Sequence, residues 1–365
     1  MNRVTLGFLV VQIKHENTYI TEVAKRSSSY SIECVRFEPT SIDPVTLLIN
    51  GEKFDVETNS WKEAMFPIPK YIYDRCFFHR KEARQKSKPI VDWLKKYRET
   101  SFLGIGLPDK WAIYQALNTD STINSYLPHT VMLKHPDEMI KHLKKHSSCL
   151  LKPRTGSRGA GIIAVFYYSK IIKIHYHHGR DKKTKQFNTI KDFTLWCEKL
   201  IEQRPYLLQP LLPLHDTSGY PFDIRLFVQK NHQGNWELLG KGIRMGYSGS
   251  FLSNLFSGGD SLSYERFSLN LTDRQRILLE DELNTIVDHL PPLLERKFHH
   301  LFELGIDIGY AQDGSVWILD INSKPGRKTI IETNPKLADR LYEAPLAYCQ
   351  YLISKSQVKG VNLNG

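Results

Sequence analysis

The stretch from Leu304 to Asn322 constrains this chain more than any other. It reads Leu-Gly-Ile-Asp-Ile-Gly-Tyr-Ala-Gln-Asp-Gly-Ser-Val-Trp-Ile-Leu-Asp-Ile-Asn, two β-prone runs around Asp313-Gly314. Asp-Gly between alternating apolar residues is a strong hairpin signal and predicts a two-residue type I′ turn. With that turn Gln312 faces Ser315, and Asp307 falls directly opposite Asp320. Asn322 shares their face, because strand side chains alternate. The same face carries Gly305, Gly309 and Ala311, while Ile306, Ile308, Tyr310, Trp317, Leu319 and Ile321 form the expected core face.

Carboxylates placed opposite each other on a strand pair repel. Beside an Asn carbonyl and over a floor of glycines, they call for a cation. Oxygen ligands with room for waters suit Mg²⁺ alongside a phosphate-bearing substrate. Asp307, Asp320 and Asn322 are thus the expected ligands of one or two Mg²⁺ ions, with Mn²⁺ as a substitute. Without metal the two aspartates should repel, so removing one charge should preserve or raise stability. The plainer alternative has both aspartates facing water.

Two further segments add to this hairpin. Lys152 opens the run Lys-Pro-Arg-Thr-Gly-Ser-Arg-Gly-Ala-Gly, which ends at Gly161. Gly156, Gly159 and Gly161 let backbone N–H groups turn toward a phosphate, and Lys152, Arg154 and Arg158 add charge. The run is neither a Walker A motif nor GxGxxG, and a strand rather than a helix follows it. Alone it would be an ordinary hairpin loop. Tyr206–Leu212 is an apolar strand whose extended end could offer backbone groups and an apolar wall to a purine. In Phe222–Val228, Asp223 and Arg225 share one strand face. Arg225 there suits a phosphate oxygen, with an ion pair to Asp223 as the equal alternative.

The rest of the chain bounds the class. With 365 residues, 41% hydrophobic and 24% charged, it is neither disordered, collagenous nor coiled coil, and is long enough for two or three packed units. No apolar run reaches the roughly 18 residues that cross a bilayer. The five cysteines are scattered and never spaced CxxC, which favours a reducing, cytoplasmic setting. The apolar start, Val4–Ile13, reads as a first strand rather than a signal peptide. The net charge of +11 favours anionic partners such as nucleotides or acidic polymers. Nucleic acid ranks last, because no stripe of basic and aromatic residues accompanies the charge. The densest basic cluster, Arg180–Lys185, reads as a hairpin tip or loop, and His175, His177 and His178 as surface residues.

Periodicity places strands at Val45–Ile49, Tyr71–Tyr73, Cys149–Leu151, Gly161–Tyr168, Ile171–His177, Phe222–Lys230 and Trp236–Met245. Helices are expected at Lys88–Glu99 with Pro89 in the first turn, Asp109–Leu117, Pro136–His146, Asn188–Arg204, Thr272–Leu290 and Asn334–Ser354. Strand pairs between helices make a mixed α/β or α+β chain.

The order of these motifs resembles the ATP-grasp superfamily over about 106–330. The resemblance rests on a lysine at a helix start (Asp109-Lys110-Trp111) and a second opening the Gly-rich flap, Lys152–Gly161. It continues through a hinge strand (Leu208-Gln209-Pro210-Leu211), an Asp-x-Arg strand (Asp223, Arg225) and the acidic hairpin. That hairpin runs into Ser323-Lys324-Pro325-Gly326 and fits acidic-x-Asn-x-x-Pro-Gly, with Asp rather than the commoner Glu at 320. Arg244, Ser253-Asn254-Leu255 and Gly258-Gly259 are similar to the substrate-side segment of ribosomal-protein glutamate ligases. Ile72-Tyr73-Asp74-Arg75 and Asp109–Gln115 resemble, more narrowly, the YheC/YheD type, endospore coat-associated proteins.

The resemblance implies an ATP-grasp fold at 106–355, with a flap unit at about 127–205 and a metal-binding unit at 206–355, behind a smaller pre-ATP-grasp domain at 1–105. It implies ATP held by Lys110, Lys152, Arg154, Gly156, Ser157, Gly159, Gly161, Gln209, Pro210, Leu211, Leu212 and Asp223, with Mg²⁺ on the hairpin. Arg225, Arg244 and Asn254 would act on the transferring phosphate. The implied reaction joins a carboxylate to an amine or thiol through an acylphosphate, turning ATP into ADP and phosphate. The basic balance of the chain favours an acidic acceptor, an amino acid, peptide or polymer, and the resemblance implies coat proteins as partners. The alternative is a nucleotide-binding coat protein that no longer turns over.

Overall fold

The computed structural model describes residues 4–361, apart from 79, 157, 158, 170, 179, 180, 217 and 248–259. Three sheets follow one another along the chain. The first contains β1 (Val4–Leu9), β2 (Ile32–Phe37), β3 (Leu48–Asp55), β4 (Ser60–Pro67), β5 (Tyr71–Asp74) and β6 (Ser101–Phe102), in spatial order β4-β3-β2-β1-β5-β6. β1 runs parallel to β2 and β5, while β2–β3 and β3–β4 are antiparallel. Such central parallel strands are covered on both faces. Here α1 (Asn17–Lys25) covers one face and α2 (Lys81–Leu94) the other.

The second sheet holds β7 (Val131–Leu133), β8 (Ser148–Pro153), β9 (Ile163–Tyr168), β10 (Ile171–His178), β11 (Asp181–Phe187) and β12 (Tyr206–Gln209), ordered β11-β10-β9-β8-β12-β7. Its core face packs on α4 (Pro136–His146) and α5 (Ile190–Gln203) through Met139, Leu143, Phe193 and Cys197. The third sheet, ordered β15-β14-β13-β16-β17, comprises β13 (Phe222–Lys230), β14 (Trp236–Met245), β15 (Asp260–Ser263), β16 (Glu303–Tyr310) and β17 (Val316–Asn322). One face rests on α3 (Lys110–Leu117) and α7 (Asp273–Lys297), with Ile224, Leu226, Ile306 and Ile308 in the largest core. The short α6 (Tyr264–Ser268) follows β15, and α8 (Lys328–Thr333) packs against β14. The last helix, α9 (Ala338–Val361), returns to the first sheet, where Leu346, Tyr348 and Cys349 join its core.

Several elements differ from the sequence expectation. β1 stops at Leu9, because the polar run after Val11 turns the chain and α1 begins at Asn17. β3 begins at Leu48, so only its first two residues fall in the expected strand. Pro89 lies inside α2 rather than in its first turn. A mid-helix proline removes one backbone bond, to the carbonyl of Gln85, and burial of Val91 and Leu94 offsets the loss. α7 continues through Pro291-Pro292 to Lys297. The expected C-terminal helix starts at Ala338 rather than Asn334 and runs on to Val361 as α9, after a 3-10 turn at Pro335–Leu337, and α8 ahead of it was not expected. The basic cluster at 181–185 is no loop but the outer strand β11. All five cysteines are buried and free.

Buried charge ties the first sheet to the end of the acidic hairpin. Arg75 and Arg327 flank Glu303, with N–O distances of 2.7 and 2.5 Å. Lys324 sits 2.5 Å from Asp74, and Lys95 reaches the same carboxylate at 3.3 Å.

Candidate active site

The acidic hairpin reaches the expected pairing by an unexpected route. Ala311 N donates to Ser315 O at 2.9 Å and Gly314 N to Ala311 O at 3.0 Å. The loop therefore holds three residues, Gln312, Asp313 and Gly314, and Gly314 takes φ +85°. The two-residue turn was wrong. Ser315 answers Ala311 rather than Gln312, and Gly309 pairs with Trp317. A β-bulge between the Asp307–Asp320 and Ile308–Ile318 pairs then leaves Leu319 without a partner and restores the offset. Asp307 thus pairs with Asp320, and Gly305 with Asn322, as expected.

The bulge also exchanges faces on β17, as a single extra residue must. Val316, Ile318 and Ile321 fill the core. Trp317 and Leu319, expected there, lie half-buried on the side of Gly309. The glycine floor is not open either. A Cβ at Gly305 would stand 2.7 Å from Pro325 and closer still to Arg225. One at Gly309 would meet Leu214 at 2.8 Å. These glycines admit an arginine and a leucine rather than waters.

Each aspartate has its own cations. On the buried side, Arg225 Nε lies 2.7 Å from Asp307 Oδ1, and Arg244 Nη2 lies 2.8 Å from Asp307 Oδ2. Arg244 Nε donates to Asp223 Oδ1 at 2.6 Å. Arg225 therefore pairs with Asp307 across to β16, while Asp223 pairs with Arg244 across to β14. Burial pulls the Arg225 guanidinium below its ordinary value. Burial opposes the charge on Arg244 too, but Asp223 and Asp307 outweigh it and raise its pKa.

On the more exposed side, Lys110 Nζ donates to Asp320 Oδ1. Burial would raise the Asp320 carboxyl, but Lys110, with Lys152 behind it, holds it below the usual carboxylate range. Lys152, from β8, donates from Nζ to the Leu319 carbonyl at 3.2 Å, the group at the bulge. Burial pushes its ammonium down to about 8, against the pull of Asp320. Two lysines 42 positions apart in the chain thus meet one strand end.

The flap is anchored at its base. Asp109 caps α3 by accepting from Trp111 N at 3.0 Å and Ala112 N at 3.2 Å. Its other oxygen meets Arg154 Nη2 at 2.8 Å, and Lys110 N donates to Arg154 O at 3.2 Å. Gly156, Gly159 and Gly161 all have positive φ, and a side chain at Gly161 would collide with Arg204. Ser157, Arg158 and Asn254 lie outside the described residues. Gln209 is buried, and its carboxamide donates to Thr130 Oγ1 at 2.7 Å, so it is the backbone of Gln209 to Leu212 that remains as a wall. Sequence reasoning missed the second role of Asp109 and the part played by the Leu319 carbonyl. Neither was signalled by the residue pattern, which placed Asp109 inside the helix it caps.

Among the described residues no group of three His, Cys, Asp or Glu side chains stands ready to hold a metal. The oxygen set on the hairpin is two carboxylates and the Asn322 carboxamide.

Comparison with known proteins places this architecture. The sequence model of the family described as YheC/D like ATP-grasp matches residues 99–352. The endospore coat-associated protein YheC of Bacillus subtilis (strain 168) is 43% identical over 358 residues, covering 98% of both chains. Endospore coat-associated protein YheD of the same organism is 22% identical over 329 residues, covering 84% of this chain and 69% of that one. In fold, the chain is similar to D-alanyl-alanine synthetase A from Vibrio cholerae, with a TM-score of 0.52 at 13% identity, over 95% of this chain and 99% of that one. It is likewise similar to the D-alanine-D-alanine ligase from Coxiella burnetii, with a TM-score of 0.51 at 12% identity, over 99% of both chains. The fold is thus the mixed α/β ATP-grasp fold. The chain belongs to the YheC/D-like ATP-grasp family.

Proposed function

We propose that the cleft binds Mg-ATP and that the protein is an ADP-forming ligase joining a carboxylate to an amine or thiol. The observation that carries this reading is the convergence of Lys110 from α3 and Lys152 from β8 on the Asp320 end of the hairpin. An ammonium pair beside a carboxylate suits a triphosphate with its counter-ion. Lys110, Lys152 and Arg154 would hold phosphate oxygens under the glycine flap, Gly156 to Gly161. The strand end from Gln209 to Leu212 would offer its backbone to the purine. Asp307, Asp320 and Asn322 would hold Mg²⁺, or Mn²⁺ in its place. Such an ion would supply positive charge that neutralises the phosphate oxygens.

A substrate carboxylate attacks the γ-phosphorus, the bond to ADP breaks, and an acylphosphate forms. An amine or thiol then adds to the acyl carbon and displaces inorganic phosphate. Arg225 and Arg244 fix the buried side of the site through Asp307 and Asp223, and with Asn254 they supply positive charge and donors toward the transferring group. No side-chain nucleophile is needed.

The names of the YheC and YheD relatives support a place at the endospore coat, with coat proteins as partners, and the net charge of +11 favours an acidic acceptor such as an amino acid, peptide or polymer. Among the described residues no helix is long and apolar enough to cross a membrane. Those same names favour a second reading, a coat protein that binds nucleotide without turnover. Incubation with Mg-ATP, pooled acids and hydroxylamine separates the two. ADP with an acid-dependent hydroxamate supports ligation, AMP excludes the proposed chemistry, and tight binding without any product favours the second reading.

A further inference from the structure

The second sheet ends in a strand edge that the nucleotide cleft does not use. β11 pairs with β10 from His178–Asp181 to Ile172–Phe187, and among the described residues no strand covers its other edge. Residues 181–186 are exposed throughout. Bare strand edges present unpaired N–H and C=O groups and are templates for an added strand.

This edge borders an open surface groove. A cavity of about 380 Å³ lies between the end of β11 and one face of α5. The helix contributes Asp192, Leu195, Trp196 and Lys199, which recur at helical spacing, and the strand contributes Lys185 and Phe187. Trp196 packs against Phe187 with ring centres 5.4 Å apart, so the floor is aromatic and fixed. Leu195 is 49% exposed although α5 has a buried face elsewhere.

Two lysines and one aspartate line the groove. Asp192 is engaged locally, accepting from Thr189 Oγ1 at 2.7 Å within the helix cap. Lys185 and Lys199 have no carboxylate within ion-pair distance among the described residues; Lys182 and Lys183 add charge along the strand, with Lys183 3.6 Å from Asp181. Lys185 instead lies over the Phe187 ring at 4.9 Å.

We propose that this edge is a docking site for an acidic, extended peptide segment of a partner protein, which adds as a strand to β11. Main-chain bonds to β11 would supply the register. Apolar side chains would seat on Leu195 and Trp196, and carboxylates would meet Lys185 and Lys199. The site is separate from the nucleotide cleft and does not rest on the ligase reading.

The test uses the full chain and two fluorescein-labelled octapeptides that carry charge and apolar groups on one strand face, Thr-Glu-Thr-Val-Thr-Glu-Thr-Val (Glu-Val) and its counterpart with Lys in place of Glu (Lys-Val). Fluorescence polarisation at low salt should show saturable binding of the Glu-Val peptide only. Both Leu195→Asp and the double variant Lys185→Glu/Lys199→Glu should weaken it at least tenfold. These positions are exposed, and unchanged thermal unfolding checks that the variants fold. Hydrogen exchange with the Glu-Val peptide bound should slow within residues 181–187. Absence of binding would overturn the proposal, leaving the lysines as charge that guards a bare edge. Equal binding of both peptides, indifference to the substitutions, or protection confined to other strands would overturn it too. So would self-association of the chain through β11 in place of peptide capture.

Discussion

Asp307 and Asp320 stand directly opposite each other on neighbouring strands, yet different cations neutralise them. Asp307 belongs to Arg225 and Arg244 on the buried side, and Asp320 to Lys110 on the more exposed side. The repulsion expected of two facing carboxylates is therefore already cancelled in the metal-free chain. Asp320→Asn should then lower its stability rather than raise it, by about 1–3 kcal/mol, because a charged hydrogen bond is lost and Lys110 loses its partner. Urea unfolding without metal reads this directly, and a gain in stability would show that repulsion dominates after all.

Asp307→Asn should cost more. Its carboxylate is buried, and its loss leaves the buried Arg225 guanidinium and one arm of the half-buried Arg244 without their partner. Removing one partner of a buried ion pair typically costs about 3–5 kcal/mol. The comparison to make is the midpoint shift of the two asparagine variants in one denaturant series. Equal shifts would contradict the division of cations described above.

Lys152 gives the site a pH dependence whose sign is fixed by its burial. Its ammonium is held at about 8 in the free protein. A triphosphate prefers the protonated form, so bound ATP raises that pKa. Affinity for ATP should accordingly be level below pH 8 and fall as pH rises above it, by at most tenfold per unit. In Lys152→Met the affinity should be weaker and flat over the same range. A wild-type profile that stays level to pH 9.5 would remove Lys152 from the phosphate contact.

Lys324 follows the family-like Asn322-Ser323 step but serves the first sheet, bonding to Asp74 Oδ1 at 2.5 Å and to the Cys76 carbonyl at 3.0 Å. Burial would raise the Asp74 carboxyl, but Lys324 and Lys95 outweigh it and hold it below its ordinary value. A carboxyl depressed in the folded state contributes stability above its unfolded value, near pH 4, and loses it as pH falls through the folded value. Lys324→Met should raise the folded value, so acid unfolding should begin at higher pH. Superimposable acid transitions followed by tryptophan fluorescence would show that Lys95 alone suffices.

The hairpin itself was legible because strand alternation and a turn signal are local. The face shared by Asp307 and Asp320 followed from them. The way that face is reached was not legible. A bulge such as that at Leu319 depends on what the strand packs against, and here it exchanged Trp317 and Leu319 for Val316 and Ile318 in the core. The two lysines could be singled out by their positions, but their meeting at Asp320 depends on how α3 and the second sheet pack on the third. The charge-rich strand β11 read as a loop because its residues lack the apolar alternation that marks strands, and the sheet supplies the pairing instead. Residues 1–105 were the least readable, since their parallel pairing joins β1 to strands distant in the chain.

The central claim is that Lys110, Lys152 and Asp320 form a nucleotide site that works with magnesium. Isothermal titration of ATP into the wild type, Lys152→Met and Asp320→Asn, each with and without Mg²⁺, tests it most directly. The account predicts one ATP per chain, tighter with Mg²⁺ in the wild type, weakened in Lys152→Met, and with the Mg²⁺ dependence lost in Asp320→Asn. ATP binding of equal strength in all three proteins, indifferent to Mg²⁺, would contradict it.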